Sequence, residues 1–188
     1  MTFIDKWNRL LGHMHEYSDR RGAETAPGRM QWLDDRHDLL EIGCGIGHAL
    51  AELKSKGKKV VGLDIAPSNA QEASRRYGLE VLIGDMHDLP FDDSAFDGAL
   101  AWDVFEHSLA PFLVLVELNR VLKLEGKLLI YIPPLLWQDH CVHTIVPTED
   151  QMKDILNKTG FKVDKVVRDL NQGLQYEVIK VGLPALRE

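Results

Sequence analysis

The sequence predicts a doubly wound, Rossmann-like α/β fold: a mostly parallel seven-stranded sheet that ends in an antiparallel hairpin. Three observations carry this. Five short, near-continuously apolar runs alternate with helix-compatible segments between residues 37 and 133, as expected of parallel strands covered on both faces. The alternation then gives way, after residue 160, to two strands flanking a turn. Finally, "LLEIGCGIGHAL" at 39–50 places three glycines directly after the first apolar run. Glycine has no Cβ and accepts φ > 0, so such a stretch lets a ligand lie against the main chain.

The elements follow in order. The first 36 residues carry no strand signal, and "TFIDKWNRLLGHMHEYS" puts Ile4, Trp7, Leu10 and Leu11 on one helical face, predicting a covering helix. Residues 1–36 are thus a helical cover and 37–188 the main fold, one domain in all. Strands are expected at 37–42, 58–65, 79–85, 96–103 and 126–133, and helices at about 47–56, 67–77 and 109–124. Pro67 and Pro111 sit where a first helical turn accepts proline. A further helix in "TEDQMKDILNKTGF" has Thr148 as N-cap and Gly160 as C-cap. "FKVDKVV" and "LQYEVIKV" then form a hairpin around "NQG". The longest irregular stretch is 134–147.

Composition narrows the partners. A chain of 188 residues, 45% of them hydrophobic, can bury a full core without disulfides or metals. Its two cysteines, Cys44 and Cys141, form no CxxC pair, which fits free thiols in a reducing compartment. No leader or membrane span is indicated, so a cytoplasmic protein is expected. The net charge is −7, with 29 acidic against 22 basic residues. That balance opposes nucleic-acid binding and favours a small-molecule partner; Arg20, Arg21 and Arg29 read as a solvated face. Oligomeric state is left open.

Ligands of doubly wound sheets bind outside the carboxyl ends of the strands. Here those ends carry Gly43, Gly45 and Gly47, then Asp64, Asp85, Asp103 and Pro133. A dinucleotide fingerprint, GxGxxG, fails because His48 stands at the third glycine position.

Taken together and in order, "LLEIGCGIG", "VVGLDIAP", "IGDMHDLPF", "FDGALAWDVFEH", "VLKLEGKLLIYIPP" and "HTIVPTEDQMKDILNKTGF" resemble the class I S-adenosylmethionine-dependent methyltransferases, over nearly all of residues 38–182. The resemblance implies S-adenosylmethionine as cofactor and S-adenosylhomocysteine as product. By that analogy Glu41, Gly43 and Gly45 surround the aminopropyl group, with Cys44 and Gly47 in the same loop. Asp64 accepts from the ribose hydroxyls with Ile65 beside it, Asp85 accepts from the adenine amino group, the Met86 backbone lies near the ring, and Trp102 completes the set. Pro133 and Pro134 follow the fifth strand rather than the fourth, unlike the motif of amino-group methyltransferases. The fourth strand instead ends in "WDVFEH", which is closer to the small-molecule and O-methyltransferase branches, and a small-molecule O or N acceptor is expected. A catalytically silent binding module and a nicotinamide dehydrogenase are the competing readings.

For the reactive side, a helix starting at the end of the fourth strand would place Asp103, Glu106 and His107 (i, i+3, i+4) on one face. His143 or His140 would join them from the long loop, and Trp137 would wall the acceptor pocket. The cluster resembles the ExxEH of metal-dependent O-methyltransferases that act on small RNA or quinone precursors, with Asp103 in place of the first glutamate. A divalent metal, an unassisted general base and a purely structural role all remain open for it.

Overall fold

A computed structural model describes residues 29–134, 146–170 and 172–184. The expected covering helix, Cys141, and the loop residues Trp137, His140 and His143 lie outside that set. Seven strands form one sheet: β1 (Asp38–Ile42), β2 (Lys59–Asp64), β3 (Val81–Ile83), β4 (Phe96–Trp102), β5 (Leu122–Ile132), β6 (Phe161–Arg168) and β7 (Leu174–Lys180). Their order is β3-β2-β1-β4-β5-β7-β6. The first five pair in parallel, and β7 runs antiparallel to both β5 and β6.

Helices α1 (His48–Ser55), α2 (Pro67–Tyr77), α3 (Pro111–Val121) and α4 (Glu149–Lys158) cover the two faces. Leu40, Ile42, Ala99, Ala101, Leu128 and Ile130 pack with Val114, Leu115 and Leu118 of α3 and Met152 and Leu156 of α4. On the opposite face Leu39, Leu100 and Leu129 meet Ala49 and Leu53 of α1, together with Met30 and Leu33. Thr148 caps α4 through a capping box with Gln151: the Thr148 side chain accepts from the Gln151 N–H, and the Gln151 side chain accepts from the Thr148 N–H.

Three boundaries differ from the sequence expectation. The third strand is three residues long, α3 starts at Pro111, and β5 begins at Leu122 with no loop after the helix. Proline disfavours the α conformation in the residue before it, and Ala110 lies outside the helical region at φ −140° and ψ 73°. The helix therefore cannot reach back to 109.

Candidate functional site

At the carboxyl edge of the sheet, the β1–α1 connection passes through three left-handed glycines, with φ of +63° at Gly43, +54° at Gly45 and +81° at Gly47. Their surroundings differ. A Cβ on Gly43 would lie 2.2 Å from the Val104 side chain, and one on Gly47 would lie 2.6 Å from Leu79, whereas a Cβ on Gly45 would meet nothing within 4 Å among the described residues. Two of the glycines thus let the loop pack against the protein. The third leaves open space over its backbone.

Beneath the loop are two buried carboxylates. Asp64, at the end of β2, ties the pieces together: one oxygen accepts the Gly45 N–H at 2.7 Å, while the other accepts from Ala66 N–H at 2.9 Å and Asn69 Nδ2 at 3.1 Å. Asn69 was not singled out by the sequence reading; it lies on the first turns of α2, five residues after the aspartate. Glu41 takes the N–H of Leu50 at the start of α1, but burial and the neighbouring Asp64 charge push its carboxyl up to about 8. No donor among the described residues reaches its Oε2, which is buried. Cys44 directs its side chain into a small cluster with Leu50, Ala73 and Leu79, where burial pushes the thiol well up. Its contribution at the loop is therefore backbone. Ile65 is half-buried between Asp64 and α2.

After β3, Asp85 Oδ1 accepts the His87 N–H at 2.9 Å and contacts His87 Nδ1 at 2.6 Å. Met86, between them, packs against the main core. His87 Nε2 lies 2.8 Å from Ser108 Oγ. The sequence reading passed over His87, although Asp-x-His is a local signal: an aspartate readily accepts from the N–H two residues on.

Past β4 the structure corrects the expected arrangement. Asp103, Glu106 and His107 do not share an α-helical face. Asp103 has φ +47° and turns the chain out of the strand, and Phe105–His107 is a single 3-10 turn. Glu106 and His107 are 1% and 6% exposed, with Nε2 of the imidazole 3.9 Å from the Glu106 carboxylate. Among the described residues no three or more His, Cys, Asp or Glu side chains gather to hold a metal ion. Trp102 sits at the end of β4 beside β5, stacked on Tyr131 with ring centroids 4.5 Å apart. The Arg29 guanidinium is 5.3 Å and 5.6 Å from those two rings. Asp169 closes the group, accepting from the Tyr131 hydroxyl at 2.8 Å and from Arg29 at 3.3 Å. Arg29, Tyr131 and Asp169 come from distant stretches, so no local pattern announced them.

Comparison with known proteins gives the family. The methyltransferase domain family matches residues 40–130. A sterol 4-C-methyltransferase of Caenorhabditis elegans is 30% identical over 139 residues, covering 69% of this chain and 37% of the relative. An O-methyltransferase of Penicillium expansum is 27% identical over 155 residues, covering 73% of this chain and 56% of the relative. The chain thus spans about a third to somewhat over half the length of these two relatives. Among solved structures, an S-adenosylmethionine-dependent methyltransferase of Methanosarcina mazei superposes with a TM-score of 0.66 at 22% identity, over 82% of this chain and 97% of that one. Residues 40–130 belong to the methyltransferase-domain family, and the chain has the class I, S-adenosylmethionine-dependent methyltransferase fold.

Proposed function

We propose that the chain binds S-adenosylmethionine over Gly45 and transfers its methyl group to a small-molecule oxygen or nitrogen acceptor. The observation that carries the reading is the buried pair Glu41 and Asp64 under a glycine left open by the described residues, none of which donates to Oε2 of Glu41. A buried acid held largely neutral for want of a counter-charge suits a cationic ligand better than a pyrophosphate, which would need donors. The residues therefore fit the cofactor.

When bound, S-adenosylmethionine supplies a methyl group already activated on a sulfonium. The residues do the holding. Glu41, once ionised, balances positive charge at the aminopropyl end, and Asp64 offers its remaining lone pairs to neighbouring hydroxyls. Asp85 accepts from the adenine amino group, with the Met86 backbone beside the ring and Ile65 beside the ribose. Alignment of an acceptor behind the methyl accounts for about 7–11 kcal/mol of barrier lowering, so few side chains are obligatory. Where the acceptor must lose a proton, His107 is the base, with Glu106 at its side; such proton transfer contributes roughly 10²- to 10⁴-fold. The described residues assemble no metal site, and no step is assigned to one. The net charge of −7 supports a small acceptor over a nucleic acid, and the domain reading extends the fold across 37–188 behind a helical cover.

Calorimetric titration of the chain with S-adenosylmethionine and S-adenosylhomocysteine tests this. Both ligands are expected to saturate one site, with Asp64→Asn binding at least ~10-fold more weakly through lost charge-assisted hydrogen bonds. Absence of binding to the folded protein overturns the reading. Binding without labelled-methyl transfer to any metabolite pool, or transfer to transfer RNA alone, overturns the acceptor half of it.

A further inference from the structure

We propose that His87 is a positioning residue: its imidazole fixes the Asp85 carboxylate for recognition of adenine and fastens that recognition to the first turn of α3. The inference rests on the cofactor reading of Asp85 given above. Its own basis is a continuous chain of contacts between two loops. Asp85 Oδ1 is held at two points by one residue, the His87 N–H at 2.9 Å and the ring Nδ1 at 2.6 Å. The far nitrogen of the ring is 2.8 Å from Ser108 Oγ, and that oxygen accepts the Ala110 N–H at 3.0 Å. Ala110 immediately precedes Pro111, the first residue of α3.

The direction of the chain follows from its ends. A carboxylate only accepts, so Nδ1 carries the ring proton. A neutral ring protonated at Nδ1 presents Nε2 to Ser108 Oγ as an acceptor. Two contacts from one residue, the backbone N–H and the ring, thus restrain Oδ1 of Asp85. In the cofactor reading, the carboxylate so held is the one that meets the exocyclic amino group of adenine.

Aspartate, histidine and serine stand here in the order of a hydrolytic triad, yet the surroundings exclude that chemistry. Ser108 is 1% exposed and its oxygen is engaged by the Ala110 N–H, so no carbonyl carbon can approach it. The trio holds rather than attacks. It also joins the loop after β3 to the segment carrying Glu106 and His107, so the cofactor side and the reactive side share one anchor.

The test is base discrimination, which a merely structural role would not move. Titrations compare S-adenosylhomocysteine with its inosine counterpart, in which a carbonyl replaces the amino group. The wild type is expected to prefer the adenosyl form by at least ~10-fold, the scale of one hydrogen bond to a charged group. His87→Ala is expected to lose most of that preference. His87→Gln, which restores a donor toward Asp85, recovers part of it, and Ser108→Ala, cutting only the outer anchor, loses less than His87→Ala. An unchanged preference in His87→Ala with native circular dichroism overturns the inference alone. Should that variant not fold, an unchanged preference in Ser108→Ala together with none of the preference retained in His87→Gln overturns it. A wild type that binds neither ligand removes the cofactor reading and this inference with it.

Discussion

The two halves of the sheet's carboxyl edge are built on different principles. At the ends of β1 and β2, position is set by backbone: left-handed glycines, a carboxylate latched to main-chain N–H groups, and a second acid lodged at the start of α1. At the end of β4, position is set by side chains on a kinked strand exit and one 3-10 turn, with Glu106 and His107 packed away from solvent. The first half is specified by a handful of neighbouring residues. The second depends on what the rest of the fold puts around it.

Substitutions on each side sharpen that contrast, and the largest effect is expected at Gly43. Gly43→Ala places a Cβ 2.2 Å from Val104 at φ +63°. Left-handed strain and overpacking together cost about 2–5 kcal/mol, read as a lower urea midpoint. Gly45→Ala, with no described residue within 4 Å, costs only about 1 kcal/mol of backbone strain, yet is expected to lose cofactor binding. If both variants unfold equally, the division of labour within the loop is wrong.

Next comes the buried acid. Glu41 is neutral in both states well below 4.5; between there and about 8 the folded protein keeps a proton that the unfolded chain releases. Stability of the ligand-free protein therefore falls as pH rises through that window, by a few kcal/mol on the order set by a shift of that size. Glu41→Gln should remove the slope and be the more stable protein near pH 8 in thermal melts. Saturating cofactor should flatten the wild-type slope, because the ionised carboxylate then has a cationic partner.

On the other half the expected effects are smaller and separate two roles. Glu106→Ala removes a carboxylate that is 1% exposed and is expected to cost about 1–3 kcal/mol by urea unfolding. Asp103→Asn keeps a residue tolerated at positive φ, so stability should stay within about 0.5 kcal/mol. Any loss of methyl transfer in this variant then reports chemistry rather than folding. A large destabilisation by Asp103→Asn would place both acids in the structural class and erase the contrast.

Much of the fold was legible because its signals are local. Apolar runs, Pro67, Pro111, the capping box at Thr148 and the turn near Gln172 each act within a few residues of where they stand, and the seven strands with their antiparallel tail follow. The glycine loop and the positions of Asp64 and Asp85 at strand ends were legible for the same reason, whereas Glu41 was singled out only by the family resemblance. The shared helical face of Asp103, Glu106 and His107 was misread although Pro111 carried the warning: a helix with proline at its first position starts there, eight residues beyond Asp103. His87 lay within reach of a local rule for its bond to Asp85. Its bond to Ser108, 21 residues away, did not.

What the sequence determined by itself is therefore the backbone frame: the alternation that builds the sheet, the glycines that shape the loop, and the acids at the strand ends. Those follow from steric limits on φ and ψ and from the side-chain period of strands and helices, which neighbours in the chain impose on each other. Only the tertiary structure decided which glycine stays open among the described residues, that Oε2 of Glu41 meets no donor among them, that His87 bridges to Ser108, and that Arg29, Trp102, Tyr131 and Asp169 form one cluster. Each depends on groups far apart in the chain meeting within a few ångströms in a low-dielectric interior, where burial and pairing set both charge and contact.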